Sequence, residues 1–293
     1  MDLKKHLAFI KTVESGSLTQ AAARLNYTQP SISQMISKLE EEYGFPLLIR
    51  QRHGVRATAN GLKVFHIMKD IQKNYEKLIE TVDNINGFEI GEIRLGAFTS
   101  VAVKWLPQIL REFNKLYPSI NVQLFEGNSS ELEQWLKEDK IDVGIGTSHS
   151  EKWHFQPLAE DPIVVVMSPQ HELAGLETVP LNIMESVMCI VPYPETHFDV
   201  LKVLREEKIS PRIAYQIRGD ETLIAMVRNN LGISLLPKLL VNDCDMLMKP
   251  LDQYVYRQIG IITTHAEEAQ TPSVQKMIQC IKERVRSIHQ ATV

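Results

Sequence analysis

Gln29, Ser31, Ser33, Gln34, Ser37 and Lys38 fall on one face when residues 29–43 are wound at a helical period, opposite Ile32, Ile36 and Leu39 with Met35 at the margin. A glutamine amide can bond an adenine edge, and a serine hydroxyl can bond a base or a phosphate. Such groups near a helix N-terminus suit the major groove of a duplex. Taken alone, the same residues also fit a solvated helix face. The segment that follows tips the balance: Leu47 to Arg56 reads as strand, tight turn, strand, and carries Arg50, Arg52 and Arg56. A basic hairpin beside a polar helix is a wing, whose guanidiniums would grip phosphate or enter a minor groove.

Short helices must hold that face in place. Leu3, Leu7, Ile10 and Val13 recur at helical spacing until Ser15-Gly16 ends the run. Ser17 to Gln20 fits a capping box opening a second, alanine-rich helix (Leu18 to Leu25), whose Ala21, Ala22 and Ala23 allow a neighbour to approach closely. Asn26-Tyr27 makes the turn. Thr28 caps the third helix, and Pro30 is tolerated in its first turn, where a missing N–H has no helical partner to lose.

Charge is divided along the chain. The 293 residues carry a net charge of −4 and are 44% hydrophobic and 23% charged, the composition of a globular protein. Residues 1–66 hold nine Lys and Arg against five Asp and Glu, and the remaining residues hold 23 against 31, so a +4 segment precedes a −8 segment. A basic head on an acidic body fits a nucleic-acid module joined to something else.

Between them, Val64, Met68, Ile71, Tyr75, Leu78, Val82 and Ile85 alternate spacings of four and three, a heptad seam opened by a Thr58 cap and closed near Gly87. A helix packed on its own domain is the alternative. Flanking charges such as Lys63, Asp70, Lys73, Glu76 and Glu80 leave the other faces wet and favour a partner helix.

From Gly91 strands and helices alternate. Strands are expected at Ile93–Gly96, Asn121–Phe125, Asp142–Gly146, Ile163–Ser168, Met188–Val191, Ala214–Ile217, Ile233–Leu236 and Ile259–Ile262. One helix is expected through Trp105, Ile109, Phe113 and Leu116, and another through Leu132 and Leu136. The class is α/β with mostly parallel sheets, in which ligands sit beyond strand C-termini against helix N-termini. Thr99-Ser100, Asn128-Ser129, Thr147, Thr196 and Gly219-Asp220 lie at such points, though each alone fits an ordinary cap. Helix-start hydroxyls and N–H groups suit a small organic anion such as a carboxylate, with Lys104, Arg205 and Arg218 as candidate charge partners.

Thr19-Gln20-Ala21-Ala22-Ala23-Arg24-Leu25, Thr28-Gln29-Pro30-Ser31-Ile32-Ser33, Leu39-Glu40, Leu47, Arg50 and the stretch from Thr58 to Gly61 resemble the pattern of LysR-type transcriptional regulators. Leu48, Ala57 and Asn60 depart from it, standing where that family usually has Phe, Leu and Ala. The stretch from Met226 to Pro237 also matches, with the left-handed-tolerant Asn230 where Gly is usual.

The resemblance implies a winged helix-turn-helix domain at 1–58, a linker dimerisation helix at 59–88 and a C-terminal effector-binding domain at 91–293. That last domain would be two-lobed like a periplasmic binding protein, with lobe I at 91–161 and 266–293 and lobe II at 162–265. Gln29, Pro30, Ser33 and Gln34 would read or approach bases, and Thr28, Ser31, Lys38, Arg50 and Arg52 would contact backbone or the minor groove. Thr99, Ser100, Val101, Asn128 and Thr147 from one lobe and Pro192, Thr196 and Gly219 from the other would meet a small-molecule effector. Promoter or operator DNA, a second copy as homodimer or homotetramer, and RNA polymerase are the partners it implies.

Other classes find little support. Gly-rich phosphate loops, G-x-S-x-G and HExxH are absent, so neither an enzyme nor a cofactor is expected. Cys189, Cys244 and Cys280 lack metal spacing, as do His149 and His154, and Cys189 reads as core. No apolar h-region follows Met1-Asp2-Leu3-Lys4-Lys5, and the longest apolar run, Ile163 to Met167, is five residues, so a cytoplasmic protein without a membrane partner is expected. A solute-binding protein with an incidental head is the competing class, disfavoured by the wing and by the missing signal peptide.

Overall fold

The structure, a computed structural model, describes residues 3–51, 54–86, 90–147, 150, 152–193, 198–242 and 244–290. It divides into two compact units, Met1–Ile85 and Asn86–Val293.

In the first unit α1 (Leu3–Ser15), α2 (Leu18–Leu25) and α3 (Gln29–Tyr43) precede a hairpin of β1 (Leu48–Gln51) and β2 (Gly54–Ala57), then α4 (Ala59–Ile85). Each boundary has a local cause. Ser17 Oγ accepts the Gln20 N–H (3.4 Å), the serine half of the expected box, and Asn26 closes α2 in the left-handed region. Thr28 Oγ1 accepts the Ser31 N–H at 3.3 Å, and Gly44 closes α3 at φ 77°. Phe9, Ile10, Ala21, Ala22, Ile32, Ile36, Leu39 and Leu47 form the core, so the apolar face of α3 is spent inward and its polar face is left outside.

The head core also takes up the start of the linker helix. Met68 is 2% exposed within it and Val64 packs against it, so these two seam positions serve the head itself. From Tyr75 onward the seam is open: Tyr75, Leu78, Val82 and Ile85 are exposed, Ile85 to 80%.

The second unit is α/β with a mixed sheet rather than a mostly parallel one. β3 (Gly91–Ala97) pairs in parallel with β4 (Ile120–Glu126) and β5 (Val143–Gly146). Between β3 and β4 the expected single helix is two, α5 (Thr99–Lys104) and α6 (Leu106–Leu116), broken at Trp105 because Pro107 stands in the first turn of α6. Leu116, expected inside, is exposed at the end of α6. Next, α7 (Ser129–Lys137) leads into β5, and β6 (His154–Met167) is one continuous strand, far longer than the expected Ile163–Ser168.

The rest of the unit comprises β7 (Cys189–Pro192), α8 (Phe198–Glu206), β8 (Ile213–Ile217), α9 (Asp220–Arg228), β9 (Ser234–Pro237), α10 (Lys238–Val241), β10 (Leu247–Pro250), β11 (Tyr256–Thr263) and α11 (Pro272–Gln290). β7 and β8 pair in parallel; β6 pairs antiparallel with β9, β10 and β11, and β11 with β5. One core gathers β3, β5, α5, α6 and α11, and two others lie on either side of the β6–β9 strands. β6 and β11 therefore carry the chain between two halves. Ile259, Ile261 and Ile262 of β11 are already in the first core, so the return comes with β11 and not at 266.

Candidate functional site

Gln29, Pro30, Gln34 and Lys38 are exposed on α3, with Ser31, Ser33 and Ser37 half-buried beside them. The hydroxyls of Thr28 and Ser31 lie 2.8 Å apart, and the Thr28 hydroxyl also caps the helix. Ser33 Oγ accepts from Arg50 Nη2 at 2.9 Å, so the hairpin is tied to the reading helix through two of the expected DNA contacts. Arg52 lies outside the described residues.

Two further contacts fix the hairpin. Glu40 Oε1 accepts the N–H groups of Leu47 (2.7 Å) and Leu48 (3.1 Å). Thr58 Oγ1 donates to Pro46 O (2.9 Å) and accepts the Gly61 N–H (2.8 Å), capping α4 as expected. A Cβ on Gly61 would stand 2.3 Å from Leu47 O, which explains why this helix begins with a glycine in its first turn. The result is a polar helix face beside a basic hairpin, both locked to one small core.

In the second unit a cavity of about 690 Å³ opens between the halves. Thr99, Ser100 and Asn128 line it from the first half and Gly219 from the second, as expected; Glu126, Ser129, Glu131, Asp199, Arg218, Asp220, Glu221 and Arg257 also line it.

Three expected residues lie elsewhere. Val101 is fully buried in the core on the inward side of α5. Pro192 is buried at the end of β7 and is not among the described lining residues. Thr147 is buried, with its hydroxyl turned to Asp199 Oδ2 (3.2 Å) and Ser129 Oγ (3.3 Å). Thr147 thus bridges the start of α7 to α8 instead of facing the cavity. Thr196 and His149 lie outside the described residues. Of the candidate charge partners, Arg218 lines the cavity with its guanidinium 4.9 Å from the Tyr193 ring, whereas Lys104 and Arg205 do not line it.

Asn128 is engaged in a full capping box, accepting the Glu131 N–H (3.0 Å) while Glu131 accepts its own N–H (2.9 Å). Gly219 precedes α9 as a cap without a side chain.

Sequence reasoning missed Arg257. Arg257 Nε donates to Asp161 Oδ2 at 2.9 Å, Nη2 donates to Ser100 Oγ at 2.7 Å, and the guanidinium stands 5.4 Å from the Phe98 ring centre. Asp161 Oδ1 in turn accepts the Leu239 N–H at 2.8 Å. Burial pushes the Asp161 carboxyl up, against the lowering pull of Arg257 and that N–H. A charge two residues before the apolar run Ile259 to Ile262 was the available signal.

Cys189 is buried, and desolvation pushes its thiol up to about 11, which fits the core reading. Among the described residues no cluster of His, Cys, Asp and Glu could hold a metal ion, and no helix is long and apolar enough to cross a membrane.

A winged helix-turn-helix in the same chain as an α/β unit with a cavity between its halves defines a DNA-binding transcriptional regulator with an effector-binding domain. The chain belongs to the LysR family: the LysR substrate binding domain matches residues 86–286, and the bacterial regulatory helix-turn-helix protein, lysR family, matches residues 3–62. That family comprises transcriptional regulators, not enzymes. The chain is 28% identical over 274 residues to the HTH-type transcriptional regulator YvbU of Bacillus subtilis, covering 92% of this chain and 94% of that one. Its fold is similar to that of a full-length OxyR variant from Pseudomonas aeruginosa, with TM-score 0.77 at 18% identity over 98% of this chain and 95% of the other. It is also similar to full-length CbnR complexed with its target DNA, with TM-score 0.62 at 20% identity over 97% and 100%.

Proposed function

We propose that this regulator binds promoter or operator DNA as a homodimer, or as a homotetramer built from dimers, and that a small molecule held in the cavity of its second unit sets its activity. The cavity carries this reading: residues far apart in sequence line it from both halves, and the paired strands β6 and β11 carry the chain between those halves. A ligand bound more tightly by one arrangement of the halves shifts the population toward it. The exposed apolar stripe from Tyr75 to Ile85 supports pairing through the linker helix. Two-fold pairing would place two reading helices on successive half-sites. A cytoplasmic location and contact with RNA polymerase follow from the same role.

The hydroxyls of Thr99 and Ser100 support an anionic group on the effector, as a small organic anion would supply. The carboxylates on the same walls oppose a ligand that is anionic throughout. Footprinting on the DNA upstream of the chain's own coding region, with and without small organic acids that raise its melting temperature, tests the reading. Protection of a bounded site that changes with such a compound is expected. Absence of any bounded footprint would remove the DNA-binding half of the proposal, and a footprint indifferent to every stabilising compound would remove the effector half.

A further inference from the structure

The cavity lining is chemically unequal, one buried guanidinium set among several carboxylates. Arg257 is 6% exposed, and its guanidinium plane is fixed by Asp161 and Ser100. No described residue engages its Nη1, and the side chain lines the cavity. A buried, immobilised N–H donor facing a cavity suits a carboxylate, which can accept from Nη1 with little ordering cost.

The lining also holds Glu126, Glu131, Asp199, Asp220 and Glu221, against Arg218 as the other cation among the described lining residues. Asp161 already balances the charge of Arg257. Five carboxylates around a half-enclosed space create a negative potential that low-dielectric walls focus. The second carboxylate of a dicarboxylate would be repelled, whereas a bare diamine would leave the Arg257 donor unmatched.

We infer that the cavity takes a basic amino acid, its carboxylate on Arg257 and Ser100 and its distal ammonium among Glu126, Asp220 and Glu221. This assignment rests on the proposed role of the cavity as the effector site. It keeps the anionic group for one end of the ligand and adds a cation at the other.

Calorimetric titration of the full-length protein with L-lysine, cadaverine and adipate tests it. L-Lysine is expected to bind saturably, with cadaverine (no carboxylate) and adipate (no amine) each weaker by at least about tenfold. Glu126 and Glu221 are exposed, so Glu126→Gln and Glu221→Gln should fold with an unchanged melting temperature and weaken L-lysine by about tenfold each. Adipate binding better than L-lysine overturns the assignment and leaves the effector role standing. Cadaverine matching L-lysine overturns the carboxylate end, and unchanged affinity in both variants overturns the ammonium end. No binding by any of the three overturns the ligand class. Footprint changes with a broader set of compounds then decide separately whether the cavity is an effector site at all.

Discussion

Arg257 and Asp161 stand opposite each other in register on β11 and β6, the strands that carry the chain between the two halves, with Nη2 and Oδ2 2.8 Å apart. Both side chains are 5% exposed, so each is the other's replacement for water. Removing one charge strands the other in a low-dielectric site. Asp161→Asn is therefore expected to lower stability by about 3 kcal/mol, whereas the paired change Asp161→Leu with Arg257→Met should lose much less. Denaturant titration of the full chain checks both, and equal losses would show that the pair contributes no more than packing.

Gly61 sits where α4 crosses the start of β1. Its Cβ would meet backbone at 2.3 Å, so relief requires moving the helix and not merely a side chain. Gly61→Ala is expected to cost about 2 kcal/mol of head stability and to weaken DNA binding with it. Thermal unfolding alongside operator titration measures the two together.

Gln29 and Arg52 are expected to fail differently. Gln29→Ala should relax preference at one base position, while Arg52→Ala should weaken binding to all sequences and reduce the salt slope by about one. Binding to an operator and its single-base variants across salt concentrations separates them. A uniform loss from Gln29→Ala would assign that residue to positioning.

Leu78 lies on the exposed stripe of α4. Under the proposed pairing, Leu78→Lys should weaken dimerisation and operator binding together. Light scattering and DNA titration test it, and unchanged mass with unchanged affinity would return the stripe to a role within one chain.

Glu14 pairs with Lys11 (2.8 Å) and with Lys69 of α4 (3.3 Å). Burial raises its carboxyl, but the two lysines outweigh burial and hold it below its ordinary value of 4.5. A depressed folded value means the stabilisation is present above the unfolded value and is lost as pH falls through the folded one. Head stability should therefore decline as pH falls below about 4.5, and Lys69→Met should flatten that decline. Denaturation followed from neutral pH downward measures the slope.

Much of the head was legible because its instructions are local. Ser17, Thr28 and Thr58 act within four residues of the helix ends they set, and the burial of Ile32, Ile36 and Leu39 settles which side of α3 faces out. In the second unit the strands were readable one by one, but their pairing was not. A strand's sequence does not state whether its neighbour runs alongside or against it, so the antiparallel partners of β6 and β11 were missed. Helix-start hydroxyls located part of the cavity, since Thr99, Ser100 and Gly219 do line it. Arg257 and Asp161 escaped because they are far apart in the chain and meet only through strand register.

Gly54 sits at φ 138°, where a Cβ would lie 2.5 Å from Gly16 O, and Val55 N–H donates to that same oxygen at 2.9 Å. The far side of the hairpin is tied to α3 by Arg50 and Glu40. Hairpin and reading helix are thus the two jaws of a caliper whose opening is set by the backbone contact to Gly16 and by the side chains of Ser33, Arg50 and Glu40. With that opening fixed in the protein, the work of fitting falls on the duplex. Operator choice then includes how readily a sequence changes its groove width, at base pairs that no side chain touches.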